Sequence, residues 1–215
     1  MSYFMVHLRI ARRVRELCPW IQDAKAFDIG ALAPDALAFR PGCVRRDKKA
    51  THFTPPGFEW AEVTDNEAWK HCANEGLQAY ASHGNQSFWL GCRTHLLTDI
   101  ANNERFWLNK CRPLDKTAFA VCLADLAEVD NRLLADFGGS EALFPALEAD
   151  AAYAFPPLFT AEDVARMLAV IKTDMYANRL PDASFRFTYI HYDEIIDFIE
   201  EAALEIAAEL NREKS

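Results

Sequence analysis

The spacing of its apolar residues constrains this chain most. Along nearly the whole length they recur every three or four positions, a period that only helices turn into a continuous buried stripe. In residues 3–17, Phe4, His7, Leu8, Ala11 and Val14 share one stripe, the arginines fall largely outside it, and Pro19 ends the run. A short helical turn is predicted over 23–33, before Pro34. Residues 65–82 follow with Asp65 as N-cap, then 85–110 as one long helix, then 115–137 closed by Gly138 and Gly139. Ser140 is placed to cap a shorter helix to about 149, which must accommodate Pro145. Thr160 and Asp163 have capping-box spacing for a helix to about 178, and a last helix runs from about 191 to 212. Residues 150–159 and 179–190 are connections, with Phe185–Tyr189 open to an extended form. The 215 residues are therefore expected to form a single all-α, multi-helix domain spanning 1–215.

Residues 38–64 break the pattern. Pro41, Gly42, Pro55, Pro56 and Gly57 punctuate them, and Arg45, Arg46, Lys48 and Lys49 cluster between, so a long loop is predicted. Loops of more than about 15 residues are uncommon inside compact domains and are often functional.

Charge and hydropathy exclude some classes of partner. A net charge of −9, with acidic residues spread along the chain, argues against a grip on duplex nucleic acid, which needs clustered Lys and Arg. No stretch reaches the roughly 18 consecutive apolar residues of a transmembrane helix. Arg9, Arg12, Arg13 and Arg15 break up any signal-peptide core, so the expected location is the cytoplasm. The six cysteines include no CxxC and read as free thiols.

The residues able to carry chemistry are mostly histidines and aspartates. His95 and Asp99, four apart on the long helix, share a face, and both are good ligands for a divalent metal such as zinc. They could equally form an ion pair on a helix surface. Gly91, one turn earlier, would let another helix approach closely. His52 ends the basic stretch inside the predicted loop and is either a surface residue or a ligand reaching into a site. Asp35, after Pro34 and among apolar neighbours, either caps the next turn or ligates. His7 lies on the apolar stripe of the first helix, where a satisfied core histidine is the plainer reading. His71, between Glu67 and Glu75, reads as a surface pair, His83 as a surface residue, and His191 as the start of the last helix. No nucleophile elbow and no glycine-rich phosphate loop occurs.

Taken in order, Val6–Ala11, Ile29–Asp35, Thr51–Phe53 and Phe88–Asp99 resemble the motifs of the zinc-dependent phospholipase C family, related to the zinc-dependent single-strand nucleases. The likeness covers about the first half of the chain and is greatest to bacterial cytoplasmic members. It implies an all-α fold of phospholipase C/single-strand nuclease type with metals bound between helices. It also implies one zinc site made by Asp35, His52, His95 and Asp99, with Asp99 bridging to a second zinc on His7. Secreted members add the mature N-terminal residue as a ligand, and a third zinc bound by histidines after the bridging Asp. Here Asp99 is followed by Ile-Ala-Asn-Asn-Glu-Arg-Phe-Trp, without a histidine, so a third site would need Glu104 or His191.

The chemistry expected of one or two zinc ions, or another divalent metal, is hydrolysis by a metal-activated water, whose pKa falls from about 16 towards 7. Asp35 and Asp99 are the expected catalytic carboxylates. A small-molecule or lipid-derived phosphoester is the expected substrate, with Arg46, Lys48 and Lys49 as candidate binding cations. Phe53, Trp60, Trp89 and Trp107 could line an apolar wall or simply belong to the core. The alternatives are a non-catalytic helical binding or scaffold protein that keeps a structural metal site, and a metal-dependent hydrolase of another class such as an amidase.

Overall fold

A computed structural model describes residues 3–79, 84–148 and 153–214, and every regular element among them is helical. Helix α1 (Phe4–Leu17) turns Met5, Leu8, Ile10, Ala11 and Val14 into the core. Its partner in the middle of the molecule is α5 (Gln86–Asn102), capped by the Asn85 side chain on Phe88 N at 3.2 Å. Residues 90–100 of α5 are all buried. A helix covered on every side must lie inside the bundle, and its few polar residues must find partners there.

Short helix α2 (Ala24–Gly30), capped by Asp23, crosses α5 where Gly30 meets Gly91. A Cβ on Gly30 would stand 2.2 Å from the Phe88 carbonyl oxygen, and one on Gly91 only 2.1 Å from that of Phe27. Both obstacles are backbone, so the close crossing exists only because neither residue has a side chain. Gly91 thus does what its position one turn before His95 suggested.

A 3-10 helix at Ala33–Phe39 carries the chain away from this crossing. A second one at Arg45–Asp47 leads into α3 (Lys48–Thr51), then α4 (Asn66–Gln78) packs on α5. Beyond α5 the chain continues as a π-helical stretch, Asn103–Cys111, into α6 (Lys116–Asp136), which lies against α1. The short α7 (Ser140–Ala146) follows, then α8 (Ala161–Val170), which continues as a π turn to Met175 and covers the 3-10 helix Ala33–Phe39. Arg40 clamps that contact with two hydrogen bonds to Asp163, 3.1 and 2.6 Å. Helix α9 (Tyr192–Lys214) closes the bundle on α1 and α5, burying Ile195, Phe198, Ile199, Ala202, Ile206 and Leu210 at helical spacing. Arg93 of α5 is buried and pairs with Glu209 of α9 at 2.9 Å and with Glu213. No helix among the described residues is long and apolar enough to cross a membrane.

Three expectations change. Residues 38–64 are not one loop: prolines and glycines limit the length of helix there, but the 3-10 helix Ala33–Phe39 reaches into the stretch, and two more helical turns form across Arg45–Thr51. Asp47 helps by accepting a hydrogen bond from Val44 N at 2.7 Å. Ser140 does not cap α7; Gly139, at φ +80°, takes the N-cap position, and the Ser140 hydroxyl donates instead to the Tyr176 carbonyl at 2.8 Å. Residues 185–189 pair with no strand; the backbone N–H groups of Thr188, Tyr189 and Ile190 all donate to the buried Asp125 carboxylate. The expected helix residues 80–82, the surface reading of His83 and the N-terminal residue as a ligand lie outside the described residues.

Candidate metal centre

Five side chains that the sequence marked out converge. His7 comes from α1, Asp35 from the 3-10 helix after α2, His52 from the residue that ends α3, and His95 and Asp99 from α5. All five are buried, none more than 7% exposed. Among the described residues, Asp35, His52 and His95 form one set whose ligand atoms lie within 4.8 Å of one another, and His7, His95 and Asp99 form another.

Two of the three imidazoles are aimed by backbone carbonyls. The close α2–α5 crossing brings the Ala31 carbonyl within 2.8 Å of His95 Nδ1. His52 Nδ1 lies 3.0 Å from the Lys48 carbonyl and 3.0 Å from the Thr51 hydroxyl, which itself donates to that carbonyl. Carbonyl oxygens only accept, so in both rings Nδ1 carries a hydrogen and Nε2 is the nitrogen turned toward the site. Those two Nε2 atoms face each other at 3.1 Å. His52 is pinned further by the Trp69 indole, which donates to the His52 carbonyl at 2.7 Å. Phe53, the next residue, is held at φ +49°, a conformation that costs a non-glycine residue about 1–2 kcal/mol. Its ring fills the space that a Cβ on Gly76 would need.

The carboxylates close the ring of donors. Asp35 Oδ1 is 3.2 Å from His52 Nε2 and 3.6 Å from His95 Nε2. Asp99 divides its oxygens: Oδ1 faces His7 Nε2 at 3.4 Å, and Oδ2 faces His52 Nε2 at 3.4 Å and His95 Nε2 at 3.9 Å. The rings of His7 and His95 stack, centroids 3.9 Å apart and 4° from parallel. Both nitrogens of the His7 ring are buried without a hydrogen-bond partner.

The electrostatics follow from burial and crowding. Burial, then the neighbouring His95, lowers the His7 pKa to about 4, so this ring is neutral. Burial pushes Asp35 upward, but the Lys48 ammonium, His52 and His95 outweigh it and hold its carboxyl well below the usual range. Burial likewise opposes ionisation of Asp99, and its His52 and His7 contacts overcome it. Two ionised carboxylates and three imidazole nitrogens aimed at one buried volume form a donor set that suits a divalent cation of the zinc type. The backbone carbonyls behind His52 and His95 are the outer partners that fix the tautomer a metal ligand needs.

Other expected site residues lie elsewhere. Arg46 is exposed, and Lys49 forms an exposed pair with Glu59 at 3.1 Å. Lys48 is turned inward: it is buried, its ammonium pairs with Asp35 Oδ1, and the Trp60 ring centre lies 4.9 Å from Nζ. His71 pairs with Glu75 on the surface at 3.4 Å. Glu104 is exposed in a groove beside α9, and His191 is exposed before α9; neither belongs to the converging sets, so a third site is not rebuilt from them. The inward role of Lys48 was readable in part, since it precedes His52 by four residues, one helical turn. Trp60, also inside, stacks edge-on against His52 at 4.3 Å between centroids. No protein-family model, no curated protein and no solved structure matches this chain.

Proposed function

We propose that this chain is a metal-dependent hydrolase of phosphoesters, of the zinc phospholipase C/single-strand nuclease type, working in the cytoplasm. The observation that carries the reading is the convergence of two imidazole Nε2 atoms, 3.1 Å apart, with two ionised carboxylates in one buried volume. Two neutral rings would set lone pair against lone pair there, a repulsion that a shared proton or a metal cation between them relieves. Asp35, His52, His95 and Asp99 would hold the first ion, and His7 with Asp99 a second. The divided contacts of Asp99, one oxygen to each side, support a bridging role. An ion held there supplies the charge that acidifies a water and stabilises an anionic transition state. His52 and His95, anchored on backbone carbonyls, keep Nε2 aimed without cost at the moment of reaction. A carboxylate held as far below its usual range as Asp35 is a good ligand and a weak base, so it serves the ion rather than the proton.

One observation favours a second reading. The five side chains are sealed from solvent, and a closed site without an open position is the mark of a structural metal. In that case the chain is a helical binding or scaffold protein stapled by its ion. Metal analysis of protein purified without chelators tests both: one or two equivalents of zinc are expected, falling below half an equivalent in Asp99→Ala. A metal-free wild type defeats both readings. Hydrolysis of a nitrophenyl phosphodiester by zinc-loaded protein, lost in Asp99→Ala, separates the enzyme from the scaffold. A matching panel of amides tests the remaining hydrolase class.

A further inference from the structure

We propose that the Lys48 ammonium is an internal competitor for the metal, holding the ligand oxygen of Asp35 in the ion-free protein and leaving it when a divalent cation binds. The inference rests on the metal centre described above and concerns how that centre is kept and filled.

The contested atom is Asp35 Oδ1. It is the partner of Lys48 Nζ, and it also lies 3.2 Å from His52 Nε2 and 3.6 Å from His95 Nε2. An ammonium and a divalent ion therefore claim one oxygen in one buried volume. Two like charges on that one oxygen repel strongly, because little solvent is present to screen them. Lys48 is also poorly suited to any other role where it stands. It is 7% exposed, and a lysine that deep needs an anionic partner. Asp35 has the matching need, since an ionised carboxylate buried without a counter-charge is costly.

Its attachment makes the competition local. The turn that carries the Lys48 side chain to Asp35 also carries the carbonyl that orients His52 Nδ1. The ligand and the competitor are thus set by the same four-residue helix, α3, and the Trp60 ring gives the ammonium a second, weaker contact. Removing the ammonium while keeping the stem should leave the backbone anchor of His52 in place and free Asp35 for the ion.

The test is zinc titration of chelator-treated, full-length wild type, Lys48→Met and Lys48→Gln against a chromophoric chelator of known affinity, with thermal unfolding of each protein with and without zinc. Both variants are expected to bind zinc at least tenfold more tightly than wild type. Ion-free Lys48→Met is expected to unfold at a lower temperature than ion-free wild type, and zinc is expected to close that gap. Should ion-free Lys48→Met fail to fold, Lys48→Gln, which keeps a donor for Asp35, carries the comparison. If wild type binds zinc and the folded variants bind it equally or less tightly, the competition is overturned and the metal centre stands. If wild type does not bind zinc and the variants do, the competition stands and the metal-enzyme reading falls. If none of the three binds zinc, both fall.

Discussion

Gly91→Ala is the sharpest probe of how this fold positions its histidines. The added Cβ would lie 2.1 Å from the Phe27 carbonyl oxygen, 2.9 Å from Ala31 N and 2.9 Å from Gly30 Cα. Ordinary contact needs more than 3.4 Å to each, and none of the three is a side chain that can swing away. Helices α2 and α5 must therefore part by roughly an ångström. Overpacking of this kind typically costs about 1–3 kcal/mol, and a clash against backbone belongs at the upper end. Alanine recovers about 1 kcal/mol through its better helix propensity, which leaves a net loss of about 2 kcal/mol. The same displacement stretches the 2.8 Å hydrogen bond between His95 Nδ1 and the Ala31 carbonyl beyond useful range. Loss of such an outer partner lowers metal affinity about 10- to 100-fold. Urea unfolding of chelated protein reads the first effect, and chelator competition reads the second. A variant as stable as wild type and equal in zinc affinity would refute the claim that the glycine crossing builds the site.

Three further outcomes are expected. Burial raises the Asp130 carboxyl, which accepts from the Tyr176 hydroxyl, to about 8. A raised carboxyl contributes stability that is full below its unfolded value of 3.8 and is lost as pH rises through about 8. Asp130→Asn should therefore gain on wild type as pH climbs through that window, by up to roughly 6 kcal/mol in urea titrations, and a pH-independent difference would contradict the reasoning. His7 works in the opposite direction: its pKa falls from 6.5 to about 4, so the unfolded chain takes up a proton first as pH drops. Ion-free protein should lose roughly 3 kcal/mol between those pH values, and the His7→Gln profile should be flatter there. Finally, zinc at 100 times its dissociation constant should stabilise the protein by about 2.7 kcal/mol, and addition of a chelator should reverse the gain. Calorimetric melts that coincide with and without zinc would count against any bound ion.

Local signals were the legible ones. The Thr160–Asp163 capping box, the Asp65 cap and the placement of Gly91 one turn before His95 all act within a few residues, so their geometry is written in the spacing. All five converging side chains could be picked out, yet their positions in space could not, because Asp35 and His52 meet His95 only through the packing of α2 and α3. What stayed hidden was decided by distant partners. Lys48 reads in the sequence as one of three candidate substrate-binding cations, and it is the carboxylate of Asp35 that draws it inward. Ser140 looked like a cap until the Tyr176 carbonyl claimed its hydroxyl. Residues 188–190 lack any local pattern because the group that orders them, Asp125, lies on α6.

The order of elements along the chain also sets an order in time. Every candidate ligand of the centre is carried between α1 and α5, whereas α9, which packs on α1 and α5, comes at the far end of the described chain. During synthesis the ligands leave the ribosome well before the lid of the bundle exists, and the α1–α9 contact, separated by most of the sequence, is among the slowest to form. The chain therefore passes through a stage in which all five candidate ligands have been made and the bundle is not yet closed. A metal would meet them there before they are buried, and afterwards only through the closed bundle. Zinc supplied during refolding should thus load faster than zinc added to the finished protein.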